Sequence, residues 1–413
     1  MKFTVRAFQA FSVLALSCGF ASAGVAAVPS PVPSSAPIIH PNLDRKFEPA
    51  RKPVAHTSVK DQGNVGFCWS YSTVARIESD FLKRTGESVD LSEEFIGFYS
   101  LYEQILSAAP TYFTTMERQP GKTNIGADLL IYFFFHPGEG APDLKLANTL
   151  VEKYGVVPES AFSYKIKVGF LQRGVEGRVR RFINHILREP TKNAEYRKVD
   201  RDGKLTAEPN PEKILIELAK IYTLESEFDL PPAAGAPCRS CELLKAIQGF
   251  DYAGNHFTPK SFAKDYLKFT ATDYEEIIVT AKNQASALAR LQFSIDAGNA
   301  AEIGLTLFNG FREAHLGDGV FSPETCGATE QCVSAGGHAL LVVNRTIDPR
   351  TSKPNGFVVK NSWGTKTGRD ANGEKSENAG YDIITPDYLA ELFKAKVDSD
   401  TDREWYILLK KNP

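Results

Sequence analysis

Apolar and polar residues follow one rhythm in the first two thirds of this chain and another in its last third. From Trp69 onward apolar side chains fall at 69, 74, 77, 81 and 82, near the spacing of one helix face. Ser88-Val89-Asp90-Leu91-Ser92-Glu93-Glu94 reads as a fresh N-cap leading into a second helix, FIGFYSLYEQIL. A third helix is predicted near Leu144 to Tyr154. PEKILIELAKIY, residues 211–222, keeps apolar residues at 214, 215, 218, 221 and 222 and predicts another. From about residue 285 the pattern turns to short β-like runs: AEIGLTLF, HALLVVN, FVVKNSW, GYDII and EWYILLK. Helices first and strands second predict an α+β protein with two lobes, one helical and one an antiparallel β lobe.

Two of the strands read as a hairpin about a turn-rich segment, Ile-Asp-Pro-Arg-Thr-Ser-Lys-Pro-Asn-Gly, residues 347–356. Symmetric pairing sets Leu341 opposite Val358, Val343 opposite Gly356, and His338 opposite Asn361. An asparagine oxygen in that place would hold the imidazole in one tautomer and turn its other nitrogen toward a partner. Trp363, two residues on, would shield the hydrogen bond from water.

The partner is sought at the head of the first helix. Residues 59–72 read VKDQGNVGFCWSYS, a glycine-containing loop that carries Gln62 and then Cys68 at the expected helix start. A thiol there meets the positive end of the helix dipole, which favours the reactive thiolate. A cysteine alone in such a place reads more simply as a packed structural residue. A nucleophile needs a base, and the base needs an orienting group; His338 and Asn361 supply both.

QGNVGFCW, GGHALLVV and KNSWG, in that order, resemble the three active-site blocks of papain-like cysteine peptidases. The resemblance implies a papain-like two-lobe fold with Cys68 as nucleophile, His338 as base and then acid, and Asn361 as orienter. It implies that the Gln62 side-chain amide and the Cys68 backbone N–H form an oxyanion hole. Trp363 matches the family's tryptophan over the His–Asn pair, and Gly126 matches a glycine against which substrate backbone pairs, although a helix-entry turn explains Gly126 equally well. Two departures stand out. Val65-Gly66-Phe67-Cys68-Trp69 has no second cysteine where the family usually has one, so the neighbouring disulfide is missing. His338 also follows Cys68 by 270 residues, against about 130–150 in the plain family, so an insertion must be housed between them. LVEKYGVVPESAF (150–162), FTPKSFAKDYLKF (257–269) and GYDIITPDYLAEL (380–392) resemble the bleomycin hydrolase and aminopeptidase C branch, which would place a mainly helical insertion at roughly 165–270.

At the N-terminus, Lys2 and Arg6 precede an apolar run and Ala21-Ser22-Ala23, the layout of a secretory signal peptide spanning 1–23. Cys18 would allow a lipoprotein reading, but Ala15 fits poorly three residues before it. Residues 24–50 are a Pro-, Ser- and Ala-rich linker without helical periodicity, too short for the family's usual helical propeptide; the peptidase domain is expected over 51–413. Bacterial periplasm or extracellular space is the expected location, with no membrane attachment after signal removal.

Losing Lys2 and Arg6 with the signal takes 48 basic residues to 46 against 50 acidic ones, which gives no basic excess for nucleic acid. The cluster Arg173, Arg178, Arg180 and Arg181 reads as a solvated helix face. In an exported chain, Cys238, Cys241, Cys326 and Cys332 read as disulfide-bonded, with three connectivities open; 238–241 with 326–332 is one. Pro120-Gly121-Lys122-Thr123 mimics the tail of a phosphate-binding loop, but Met116 stands where glycine is required. No zinc motif of the His-Glu-x-x-His kind occurs, Asp370–Glu374 reads as a solvated turn rather than a calcium loop, and no cofactor is expected. The remaining histidines, His40, His56, His136, His185, His256 and His315, are assigned to surface or packing. The expected function is thiol-dependent hydrolysis of peptide or protein substrates. The alternative is an inactive papain-fold protein that only binds peptides.

Overall fold

A computed structural model describes residues 47–63, 66–118, 144–163, 178–179, 181–187, 189, 191–226, 235–308, 310–326, 334–365, 368–374, 379–393 and 404–411. The expected signal peptide and most of the linker, Gly126, and Cys332 lie outside these residues.

The helical half begins with α1, Cys68–Thr85, and α2, Glu93–Arg118, followed by α3, Leu144–Tyr154. α1 ends as an amphipathic helix should, on Gly86 in the left-handed conformation with its N–H returned to the Leu82 carbonyl. Within the expected insertion lie α4, Pro211–Thr223, capped by the Asn210 side chain, and α5, Arg239–Gln248, capped by the Cys238 sulfur. Two small ribbons accompany them: β2, Arg197–Val199, with β3, Leu205–Pro209, and β4, Phe250–Tyr252, with β5, Asn255–Phe257. The helical periodicity gave no sign of either ribbon. Cys238 and Cys241 form a disulfide at the start of α5.

The remaining strands make an eight-stranded sheet. They are β1, Glu48–Pro49; β6, Tyr274–Val279; β7, Ala301–Phe308; β8, Val320–Phe321; β9, Ser334–Ile347; β10, Pro354–Lys360; β11, Tyr381–Ile384; and β12, Trp405–Lys410. The order is β6-β12-β7-β9-β10-β11-β8, with β1 added to β9, and every pairing is antiparallel except β11 with β8. The expected hairpin forms, but its register is corrected: Val359 faces Val342 and Lys360 faces Leu341. The offset is already present at the turn, where Ile347 faces Pro354 rather than Ser352; a shift of one at Gly356 and its reversal at Val343 leave it unchanged at Lys360. Continued beyond Lys360, this register would set Asn361 level with Leu340, two residues from His338. Side chains two apart share a face of a strand, so the shift keeps His338 and Asn361 on the same side.

The sequence rhythms correspond to two separate apolar cores. Phe67, Val74, Ile77, Phe81, Phe95, Phe98 and their neighbours fill the helical half. Ile303, Leu305, Val342, Val358, Ile383 and Trp405 fill the sheet half, and Ala75 of α1 belongs to this second core. α1 is thus wedged between the two. On its sheet side the buried Arg76 guanidinium pairs with the buried Glu302 carboxylate of β7, which also accepts hydrogen bonds from Ser72 (3.0 Å) and Thr73 (2.9 Å). The Tyr274 ring lies 3.7 Å from the centre of that guanidinium. A second polar layer holds the loop entering α1. Lys60 Nζ reaches Glu78 (3.0 Å) and Glu93 (2.7 Å), and Lys360 Nζ donates to Thr57 Oγ1 at 3.0 Å.

Removing one partner from a buried pair leaves a charge uncompensated, so Glu302→Gln should lower unfolding free energy by about 3 kcal/mol in urea titrations. The exposed Lys198–Glu208 pair is the control, with an expected change below about 1 kcal/mol on Glu208→Gln. Burial pushes the Lys360 ammonium down to about 8, with Glu78 opposing the shift. An unfolded lysine keeps its proton to roughly pH 10.4, so between these values the unfolded chain binds the extra proton and stability rises with pH. The stability of the natural protein minus that of Lys360→Met should therefore grow by up to about 3 kcal/mol from pH 7.5 to 10.5. A difference independent of pH would refute that titration.

Candidate active site

Phe67 precedes Cys68 and is fully buried, with its carbonyl accepting from the N–H groups of Ser70 (2.8 Å) and Tyr71 (3.0 Å). Its ring presses on α2 at Gly97, where an added Cβ would stand 2.5 Å from a ring carbon. Only a residue without a side chain lets the two approach so closely. The α1 start is therefore fixed by an aromatic anchor in a chain that has no neighbouring disulfide there.

Cys68 occupies the first position of α1, with 4% of its surface exposed. The backbone N–H groups of Ala339, the residue after His338, and of Trp69 and Cys68 itself act on the thiol and lower its pKa. These groups and the helix terminus favour the thiolate, as the sequence suggests, yet burial outweighs them and pushes the thiol up to about 11. Helix position alone does not activate this cysteine.

His338 lies on β9 opposite Leu305 of β7 and is 3% exposed. Its Nε2 is 3.0 Å from Asn361 Oδ1. Asn361 Nδ2 donates to Asp382 Oδ2 at 2.7 Å, and a carboxylate only accepts, so the amide oxygen is the atom that faces His338. Nε2 then carries the hydrogen, and Nδ1 is the acceptor in the neutral ring. Asn361 Oδ1 also accepts the Ser362 N–H at 2.8 Å, and the Asn361 N–H goes to the Gly380 carbonyl at 3.2 Å. Burial pushes the His338 imidazolium down to about 4, with the Asn361 bond and the Asp382 charge opposing.

Trp363 stacks on His338 with ring centroids 4.5 Å apart and an interplanar angle of 19°. It therefore lies over the imidazole, as expected of a shield for the His338–Asn361 bond. The loop carrying Gln62 is zipped to this same segment. Gln62 N–H reaches the Ser362 carbonyl at 2.8 Å, and Gly364 N–H reaches the Lys60 carbonyl at 3.2 Å. The Ser362 hydroxyl donates to Gln62 Oε1, which turns the side-chain NH2 group away from Ser362.

Two residues at this centre escaped the sequence reading. His315, assigned there to surface or packing, is buried and binds Asp382 through Nδ1, 2.9 Å and 3.0 Å from its two oxygens. Its ring meets Trp363 edge-on at 5.0 Å. Asp382 is fully buried in β11. No local signal distinguishes it within GYDII beyond a charge inside an apolar strand. Of the other histidines described with side chains, His56 bonds Val54 and Tyr381, and His256 bonds exposed Asp251. Asp370 closes a turn by accepting from the Asn372 and Glu374 N–H groups, and no cluster of potential metal ligands occurs among the described residues.

The profile of the Peptidase C1-like family matches residues 39–306, well over half the chain, and ends before His338. A cathepsin L-like peptidase of Aedes aegypti is 48% identical over 44 residues, and the thiol protease SEN102 of Hemerocallis is 52% identical over 40. These stretches cover 11% and 10% of this chain, and the chain spans only 13% and 11% of those relatives' lengths. Among solved structures, PepW of Lactobacillus rhamnosis shares the fold with a TM-score of 0.54 at 17% identity, over 87% of this chain and 81% of that one.

Proposed function

Since the chain belongs to the Peptidase C1-like family, we propose that it is an exported cysteine-type peptidase acting on peptide or protein substrates. The observation that carries this reading is one cluster. Cys68 packs in one buried cluster with Ala339, the neighbour of His338, whose far nitrogen is held by Asn361.

Burial opposes each charge separately, so thiol and imidazole ionise together. The Cys68 proton passes to His338 Nδ1, and each new charge supplies the counter-ion that the other lacks. The thiolate attacks the scissile carbonyl carbon, and the oxyanion accepts from the Cys68 N–H and the Gln62 side-chain amide. His338 gives its proton to the leaving amine as the C–N bond breaks. Water, deprotonated by His338, then attacks the thioester and releases the acid and the thiol. Export rests on the charged and apolar pattern of residues 1–23, and no helix among the described residues is long and apolar enough to cross a membrane.

The purified protein should be labelled at Cys68 by the epoxide E-64 and should hydrolyse peptide amides. Cys68→Ala should abolish labelling and lower kcat at least about 1000-fold. Asn361→Ala should lower kcat by roughly a hundredfold with little change in KM, because it disorients the base without removing a substrate contact. Peptide binding without labelling or turnover would instead identify the protein as a binder.

A further inference from the structure

Behind Asn361 lies a buried polar chain that a Cys–His–Asn arrangement does not require. From the imidazole inward it runs His338 Nε2, Asn361 Oδ1, Asn361 Nδ2, Asp382 Oδ2, and then Asp382 to His315 Nδ1, with heavy-atom distances of 3.0, 2.7 and 2.9–3.0 Å. All four side chains are at most 4% exposed. Trp363 closes the group, stacked on His338 and edge-on to His315. The members come from β9, the segment after β10, β11 and the short helix Phe311–Leu316, so no single element assembles them.

We propose that Asp382 and His315 are positioning residues for the hydrolytic reaction, Asp382 fixing the Asn361 amide with its oxygen toward His338 and His315 fixing Asp382. The proposal rests on the peptidase reading above. The Ser362 N–H already favours the oxygen in that place; without an acceptor at its nitrogen, the Asn361 amide loses the second bond that opposes a half-turn rotation. That rotation would present NH2 to the Nε2–H of His338, two donors facing each other. The carboxylate forbids that rotation because it can only accept. A buried carboxylate is itself costly to leave underbonded, and His315 supplies its second partner.

Asp382 also contributes charge. When the Cys68 proton arrives on Nδ1, the positive charge on His338 is bridged to a carboxylate through one amide. The charged and titratable groups facing this chain are Cys68 on the α1 side, His315 on the far side of Asp382, and Arg369 with Asp318 and Asp370 beyond β11. The Arg369 guanidinium feels all three of these aspartates, Asp382 among them. On His338 itself the Asp382 charge favours the imidazolium and His315 opposes it.

The experiment is a pH profile of kcat/KM on a peptide amide for the natural protein and Asp382→Asn, with melting curves for both. Asp382→Asn keeps the shape and removes the charge. Its alkaline limb, where the imidazolium is lost, should move down by about one pH unit, and kcat should fall about tenfold with KM little changed. A superimposable profile, with activity falling only as the folded fraction falls, would overturn the proposal. If Asp382→Asn does not fold, His315 decides. His315→Ala should lower kcat several-fold at constant KM, and His315→Gln, which can still donate to Asp382, should recover most of the loss; His315→Ala with unchanged kcat overturns the proposal. A second readout needs no turnover: iodoacetamide alkylation at pH 6, followed by mass spectrometry of the Cys68 peptide. It should slow roughly threefold in Asp382→Asn. No peptide cleavage by the natural protein would end the peptidase reading, whereas unchanged alkylation of Cys68 in Asp382→Asn would end this one.

Discussion

The first turn of α1 rests on the middle of β9, and the arrangement of the centre follows from that contact. α1 serves both cores, placing Val74 and Ile77 among the helices and Ala75 against the sheet. Neither half can slide along it without breaking the Arg76–Glu302 pair or exposing one of the cores. Cys68 is thereby held in the buried cluster that contains Ala339, the residue after His338. The same dehydration that stabilises the cores disfavours both a lone thiolate and a lone imidazolium. On the reading proposed above, a shared proton transfer is then the accessible route to charge.

A second constraint fixes the surroundings of that pair. The loop before α1 and the segment after β10 are joined by backbone bonds at Lys60, Gln62, Ser362 and Gly364, so Gln62, Asn361 and Trp363 move as one piece. Gly380 allows the next segment to pass close by. It has positive φ, and an added Cβ would stand 2.4 Å from the Gly364 carbonyl. On the opposite wall Phe67, seated against Gly97, anchors the helix start. An aromatic contact and a backbone zipper hold in place here what a disulfide next to Cys68 would otherwise fix.

The elements themselves were largely written in local pattern. The α1, α3 and α4 helices, five of the eight sheet strands (β7, β9, β10, β11 and β12), and the juxtaposition of His338 with Asn361 follow from apolar spacing, caps and turn residues, which act over a few neighbouring positions. Hairpin symmetry misplaced the register because it centred the turn wrongly: Ile347 pairs with Pro354 rather than Ser352, and the later irregularities at Gly356 and Val343 cancel. It still chose the correct face, because the slip near His338 was by an even number of residues.

The polar chain behind Asn361 was not legible in this way. Asp382 is a charge within an apolar strand, and His315 lies in a six-residue helix with no periodic signature, 67 positions away in sequence. Sequence alone determined the main helices, five strands of the sheet and which three residue types could do thiol chemistry, since those properties reside in neighbouring residues. Tertiary structure alone decided that a buried carboxylate and a second imidazole stand behind them. A hydrogen bond acts over about 3 Å, and only the completed packing brings such distant positions within that reach.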